Sequence, residues 1–417
     1  MKARQYAQFL GMAAVLAVAT ARAQDTHQHW VSAWGSAQMV PGAKEALPDA
    51  QWRDTSLRQV VRLSLPAHAL RVRVSNVFGT APLVLQSAAV GLVARMGSSD
   101  LRAGSARPLR FSGEAAVMVP AGAEYLSDPV ALDADAGADL AVSMHFLGEP
   151  ARQTGHPGSR STSFVVPGDQ VMGEHWKDPQ GVVGWYQLAD VEVLADRQVD
   201  TVVAVGDSIT DGYGVQTDSN THWTDFLFQR MRREKFPPMG IVNTGIGGGR
   251  LLRDGLGPNL ASRFERDVLA RPGVTHAIVL IGVNDFGVLH RDGGETPPLR
   301  ARLVADLKLG LAQLVERAHA QGICVIGGTV TPYASNDYYH PGADNEADRL
   351  DLNAWIRASG TFDAVADFDA ALRDPARPDA LAAWASLDGL HPNPDGRRAL
   401  AEAVPLAALH DCKWKNP

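Results

Sequence analysis

The sequence predicts two folded parts: a β-sandwich, then an α/β unit built on a five-stranded parallel sheet between helices. Three observations lead there. The chain has 417 residues, more than one compact domain of usual size holds. Before residue 200, short alternating segments and turn signals dominate. After it, the rhythm becomes strand, loop, helix. The sandwich is placed over residues 24–197 and the α/β unit over 198–417.

In the first part, residues 70–74 put Leu70, Val72 and Val74 on one face and Arg71 and Arg73 on the other. Residues 61–65 and 140–146 repeat this two-residue period, the mark of half-buried strands. Pro66, Asn76 to Gly79, Pro120 to Gly122 and Asp128-Pro129 supply turns between them. Frequent turns without a long amphipathic helix suggest a sandwich. In the second part, strands are expected at 201–205, 240–242, 276–281, 323–330 and 364–368. Helices are expected at 222–235, 299–320, 350–358 and 394–409, the last capped by Asn393. Strands and helices alternating at this spacing imply a parallel sheet covered on both faces, with ligands at the carboxyl ends of its strands.

Composition narrows the function classes. Hydrophobic residues make up 45% and charged residues 20% of the chain, as in a globular protein with a full core. The net charge is −7 and no basic block stands out, which argues against nucleic acid as a partner. The N-terminus reads as a secretory signal peptide over residues 1–23. Lys2 and Arg4 precede an apolar run from Phe9 to Ala19, and Ala21-Arg22-Ala23 offers a small-residue cleavage site. Cleavage would take the net charge from −7 to −10, because Lys2, Arg4 and Arg22 leave with no acidic residue. The apolar run is short for a span, and no later stretch reaches ~18 consecutive apolar residues. The expected location is therefore the periplasm or the exterior, with no stable membrane insertion after cleavage. Of the two cysteines, Cys324 lies in an apolar run that reads as a buried strand and Cys412 in a polar tail. A bond between them is possible in an exported protein but is not the favoured expectation.

Four segments carry chemistry. In Gly206-Asp207-Ser208-Ile209-Thr210 a strand ends, glycine permits a sharp turn, and Ser208 stands where a helix begins. A nucleophile needs that exposure beside free backbone N–H groups; a capping serine fits the same pattern. Asn243-Thr244-Gly245-Ile246-Gly247-Gly248-Gly249-Arg250 follows the second strand, and its glycines let N–H groups approach a ligand. No Lys-Ser/Thr follows, so it is not a phosphate-binding P-loop. Gly282-Val283-Asn284-Asp285 follows the third strand; the Asn284 amide suits a developing oxyanion, and a plain Asn-Asp turn fits as well. Asp388-Gly389-Leu390-His391 precedes the last helix, with a general base and a carboxylate three residues upstream that can orient it.

Together, in this order, the four blocks resemble the SGNH (GDSL-type) hydrolase family over about residues 200–410. The first block departs only in reading Gly-Asp-Ser-Ile-Thr rather than Gly-Asp-Ser-Leu. The resemblance implies a flavodoxin-like strand order and acyl transfer through a serine ester. Ser208 would be the nucleophile, His391 the base and Asp388 its orienting partner. The N–H groups of Ser208 and Gly248 and the Asn284 amide would hold the oxyanion. Asn243 corresponds to the family's loop asparagine, which sets the glycine at Gly248, with Gly247 the neighbour should the loop shift by one. No metal or organic cofactor is implied. Residues 54–79, with Leu57-Arg58-Gln59 and Arg73-Val74-Ser75-Asn76, resemble the β-rich domain that precedes the hydrolase domain in a subgroup of exported bacterial members.

The resulting expectation is an exported serine esterase acting on a small-molecule or polysaccharide ester, with acetyl esters of carbohydrates foremost. A lipase, arylesterase or polyester hydrolase would use the same chemistry, although long acyl chains need an apolar groove that the sequence does not display plainly. The other readings are an envelope-glycan acyltransferase and a non-catalytic carbohydrate-binding protein. Arg250 could touch substrate or pair with a carboxylate. Tyr333, Tyr338, Tyr339 and His340 could line a pocket, with ordinary loop packing the plainer reading. Trp223 reads as helix core, and Asp207 as a residue that fixes the turn.

Overall fold

Alternating apolar residues build the first part. The structure, a computed structural model, describes residues 28–196 and 198–410; the expected signal peptide, residues 1–23, and Cys412 lie outside these. The main strands of this part are β1 (Gln28–Gly35), β2 (Thr55–Arg62), β3 (Ala67–Ser75), β4 (Ser87–Leu92), β5 (Asp139–Phe146), β6 (Thr162–Pro167) and β7 (Leu188–Asp196). One antiparallel sheet runs β1-β7-β3 and ends on the short strand Glu124–Leu126. The other runs Gln180–Val183, β6, β2, β5, β4, Arg107–Pro108. Leu70, Val72 and Val74 are fully buried and share one core with Leu57, Val142 and Val191. On the opposite face Arg71 and Arg73 pair with the buried Glu192.

The strand expected at 61–65 stops at Arg62. Pro66 has no N–H for a ladder. Ser64 also turns its hydroxyl to Ala33 O at 2.6 Å and accepts Ile241 N–H at 2.8 Å.

The second part holds β8 (Asp200–Gly206), β9 (Met239–Gly245), β10 (Val274–Leu280), β11 (Cys324–Gly328) and β12 (Ala364–Ala366). All pairs are parallel, in the order β9-β8-β10-β11-β12. That is the flavodoxin-like order, with the switch point beside β8. Its helices are α1 (Ser208–Asp211), α2 (Trp223–Arg233), α3 (Leu260–Phe264), α4 (Val283–Arg291), α5 (Pro297–His319), α6 (Ala343–Ala358), α7 (Phe368–Leu372), α8 (Pro394–Ala403) and α9 (Leu406–His410). Trp223 is buried against Phe368, as core.

Two helices differ from expectation for local reasons. α6 begins at Ala343 rather than near 350, because Asn345 Oδ1 reaches back to accept Gly342 N–H at 2.8 Å. The last helix breaks into α8 and α9 around Pro405, which lacks the N–H a continuous helix needs. Asn393 caps α8, as expected, accepting Gly396 N–H at 2.9 Å. Cys324, buried on β11, is disulfide-bonded, against the favoured expectation. Among the described residues no helix is long and apolar enough to cross a membrane.

The two parts are joined by more than their linker. β1 lies along β9, where Gly240 leaves room for Ser32 O: a Cβ there would sit 2.2 Å from it. Thr201 Oγ1 donates to Ser32 O at 3.0 Å, and Ser32 N–H donates to Pro272 O at 3.0 Å. The buried Arg271 guanidinium reaches Asp190 Oδ2 at 2.7 Å and Ser36 O at 2.8 Å. Buried polar groups satisfied in this way across an interface fix its geometry.

Candidate active site

The four sequence blocks converge on the carboxyl edge of the parallel sheet. β8 ends at Gly206, and Asp207 caps the short α1 by accepting Ile209 N–H at 3.0 Å. This confirms Asp207 as a turn-fixing residue. Ser208 is the first residue of α1 and is 5% exposed.

Ser208 Oγ lies 2.8 Å from His391 Nε2. His391 Nδ1 lies 2.8 Å from Asp388 Oδ2. The second Asp388 oxygen accepts the backbone N–H of His391 at 2.8 Å and of Leu390 at 3.1 Å. The carboxylate therefore orients the ring and fixes the loop that carries it. Burial raises the proton affinity of Asp388, but hydrogen bonds from the His391 backbone and ring outweigh this and hold it below the ordinary carboxylate range. Burial pushes His391 below its ordinary value; Asp388 opposes the shift, and Arg397 and Arg160 add to it. The ring is thus neutral near pH 7, with one nitrogen able to accept the serine proton.

The glycine loop follows β9. Gly249 N–H donates to Ile246 O at 2.9 Å, closing a turn whose central residues are Gly247 and Gly248. That bond uses neither central amide. Gly248 has φ +65°, a conformation that suits glycine. A Cβ on Gly249 would lie 3.6 Å from Asp207 Cα, so the loop packs on the nucleophile turn. Asn243 Nδ2 donates to Thr210 O at 2.6 Å, tying β9 to α1.

Asn284, on α4, is buried. Its Nδ2 donates to Gly249 O at 2.8 Å, and its Oδ1 accepts from the Tyr339 hydroxyl at 2.7 Å. An amide nitrogen has two hydrogens, so one remains after the Gly249 bond. Asp285 beside it accepts the backbone N–H groups of Leu251 at 2.9 Å and Leu252 at 3.2 Å. Burial pushes Asp285 up to about 6 and Asp207 up to about 7.

The tyrosines of the loop after β11 take places other than a pocket wall, and two further residues, Tyr213 and Arg263, carry no mark in the sequence. Tyr339 is buried, and it orients Asn284 rather than lining an open pocket. Tyr333 is buried too, whereas Tyr338 is exposed and bonded to Arg291. Tyr213 stacks on His391 with ring centroids 4.1 Å apart. Arg263, fully buried, donates to Gly206 O at 2.9 Å and Thr244 O at 2.6 Å, bridging the ends of β8 and β9. No short motif marks these positions. The one available signal was a tyrosine-rich loop after a strand.

The structure also holds an apolar groove. Leu252, Val288, Leu289, Leu303 and Leu314 line a cavity of about 760 Å³ between α4, α5 and the loop after Gly249. Arg250 stands at its edge and donates to Asp254 O.

The parallel sheet carries the hydrogen-bonded residues Ser208, His391 and Asp388 at its carboxyl edge, the edge where α/β folds place their sites. Residues 204–399 match the GDSL-like lipase/acylhydrolase family, and this part of the chain is a domain of that family. The protein is accordingly a carboxylic ester hydrolase. No curated protein matches it. Solved structures that it resembles include an alpha/beta hydrolase enzyme from the metagenome of Lake Arreo, Spain. That likeness has 23% identity, covers 51% of this chain and 95% of the other, and has a TM-score of 0.36. A GDSL-like lipase from Bacteroides thetaiotaomicron VPI-5482 gives 19%, 51%, 88% and 0.37 in the same terms. An acetyl xylan esterase gives 18%, 50%, 98% and 0.37.

Proposed function

We propose that this chain is an exported serine esterase that removes short acyl groups, acetyl foremost, from carbohydrates. The hydrogen-bonded chain Ser208–His391–Asp388 is the observation that carries the catalytic part. Ser208 Oγ attacks the ester carbonyl while His391 Nε2 takes its proton, and Asp388 holds the imidazolium that forms. The N–H groups of Ser208 and Gly248 and the second Asn284 hydrogen stabilise the oxyanion. His391 returns the proton to the departing alcohol, which leaves Ser208 acylated. Water, deprotonated by His391, then attacks the acyl carbonyl, and the acid leaves as Ser208 recovers its proton. Export is supported by the signal-peptide pattern of residues 1–23, and the carbohydrate preference by the β-domain that precedes the hydrolase domain.

One observation favours a second reading of the substrate. The leucine-lined cavity lies against Asp285 and Arg250, next in sequence to Asn284 and the glycine loop, and would accommodate a longer acyl chain.

Hydrolysis of p-nitrophenyl acetate, butyrate and palmitate beside acetylated xylan, with wild type and Ser208→Ala in parallel, tests both readings. The proposal expects Ser208-dependent turnover that falls with chain length and releases acetate from xylan. Turnover that rises with chain length replaces the carbohydrate reading with the longer-acyl one. Ser208→Ala with near-wild-type turnover would refute the catalytic assignment.

A further inference from the structure

The chain from Ser36 to Arg160 belongs to the sandwich, yet parts of it touch the nucleophile helix and the glycine loop. His156 is the centre of this contact. It is buried, and it lies in a short strand of two residues, Gly155–His156. Its Nε2 is 2.8 Å from Oδ1 of Asp211, the last residue of α1. Its Nδ1 is 2.9 Å from Ala37 O, and its ring stacks on Trp185 with centroids 5.7 Å apart.

The neighbours of this pair leave little room for movement. Gly158 lies against the Asp211 carboxylate, where a Cβ would come within 2.5 Å of Oδ2. On the other side, a Cβ on Gly247 would lie 3.4 Å from the same oxygen. Arg160 Nε donates to Gly212 O at 3.1 Å, just past the end of α1. Ala37 and Met39 pack on Ile246, the fully buried residue that opens the glycine turn. The Asp211 carboxylate therefore sits between α1, the glycine loop and the sandwich.

We infer that the β-domain is part of the catalytic apparatus, and that His156 is a positioning residue: by holding Asp211 and Ala37 O it fixes Ser208 and the 246–249 turn relative to each other. This rests on the reading of Ser208 as nucleophile. The hydrogen bonds of His156 go to Asp211 and Ala37 rather than to Ser208 or His391, so its effect is on the reacting geometry. Misplacement of reacting groups by about 1 Å can cost on the order of 10²-fold.

The test compares His156→Ala, His156→Gln, Ser64→Ala and Ser208→Ala in the full chain. Ser64 makes a bond across the same interface, to β9 at Ile241, away from α1, so its variant controls for loss of interface stability alone. The measurements are kcat and KM on p-nitrophenyl acetate, the rate of serine labelling by a fluorophosphonate, and the thermal midpoint. His156→Ala should lower kcat by about 10-fold to 100-fold, leave KM within about threefold, and slow labelling in parallel. His156→Gln, which keeps one N–H for Asp211, should fall between it and wild type. Ser64→Ala should keep its kcat whatever its midpoint. If His156→Ala does not fold, His156→Gln decides: a kcat loss at unchanged KM supports the inference and wild-type kcat overturns it. Equal losses in the Ser64 and His156 variants also overturn it. A fully active His156→Ala beside an inactive Ser208→Ala overturns this inference alone, whereas an active Ser208→Ala removes the reading beneath it.

Discussion

Tyr339→Phe tests whether the oxyanion side of the site is held as the structure implies. The substitution removes one oxygen and keeps the ring, which packs edge-on against Tyr333 and Tyr338 and lies over Gly287. What is lost is a buried bond of 2.7 Å to Asn284 Oδ1. Leaving a buried amide oxygen without that partner costs ~1–3 kcal/mol of stability. The amide keeps its bond to Gly249 O, so it loses orientation rather than position. Removing the donor outright, as in Asn284→Ala, should cost ~10²–10³ in kcat. Tyr339→Phe should cost less, about 10-fold, and should act on kcat rather than KM, because the oxyanion donor role proposed for Asn284 works on the transition state. The assay is steady-state hydrolysis of p-nitrophenyl acetate by the two single variants and the double variant. If Tyr339 acts through Asn284, the double variant is no slower than Asn284→Ala. A further 10-fold loss in the double variant, or wild-type kcat in Tyr339→Phe, refutes the reasoning.

Two pH effects follow from the same site. His391 is pushed below its ordinary value of 6.5, and only its neutral form accepts the serine proton. The acid limb of kcat/KM should therefore have its midpoint below 6.5, and Arg160→Ala, which removes a repelling charge, should move it upward; a wild-type midpoint above 7 contradicts the burial argument. Asp207 shows the opposite sign for stability. Burial raises it from 3.8 to about 7, so the native state binds more protons than the unfolded state between those values. That stability is fully present below pH 3.8 and is lost as pH rises through 7, up to a ceiling of about 4 kcal/mol for three units. Asp207→Asn keeps an acceptor for Ile209 N–H and cannot ionise. Urea unfolding at pH 5 and pH 8 should show a smaller pH loss in the variant than in wild type, and equal slopes count against the assignment.

The fold was legible where one rule governs a segment. The strands of the parallel sheet are short, largely apolar runs, mostly buried except for the half-buried edge strand β12, and each was placed within a few residues. The long α5 follows from helical periodicity and ends near Gly322. Errors arose where a single residue overrides a pattern. Residues 61–65 keep strand alternation, but Ser64 serves the other sheet and β9, and Pro66 cannot extend the ladder. Pro405 splits a segment whose apolar spacing is otherwise helical. The start of α6 is set by one side chain, Asn345, bonding backward. A periodicity argument averages over such residues and so misses them.

The candidate site divides along a different line. Ser208, Asn284, Asp388 and His391 could be read because each belongs to a local block whose neighbours are part of its geometry. Asp388 and His391 are three residues apart, and the carboxylate bonds both the ring and the backbone N–H of that histidine. The residues that hold those blocks in register have no such local mark. Tyr339 lies 55 positions from Asn284, Arg263 lies 57 from Gly206, and His156 lies 55 from Asp211. Each acts through polar atoms that meet partners distant in sequence, brought together only by the tertiary fold. A polar residue of this kind looks the same in sequence whether it faces water or completes a buried bond. The difference is made by tertiary burial, which turns a weak exchange with solvent into an interaction that is costly to break. The proposed reacting groups can therefore be read as motifs, while the groups that hold them must be found from buried hydrogen bonds between distant elements.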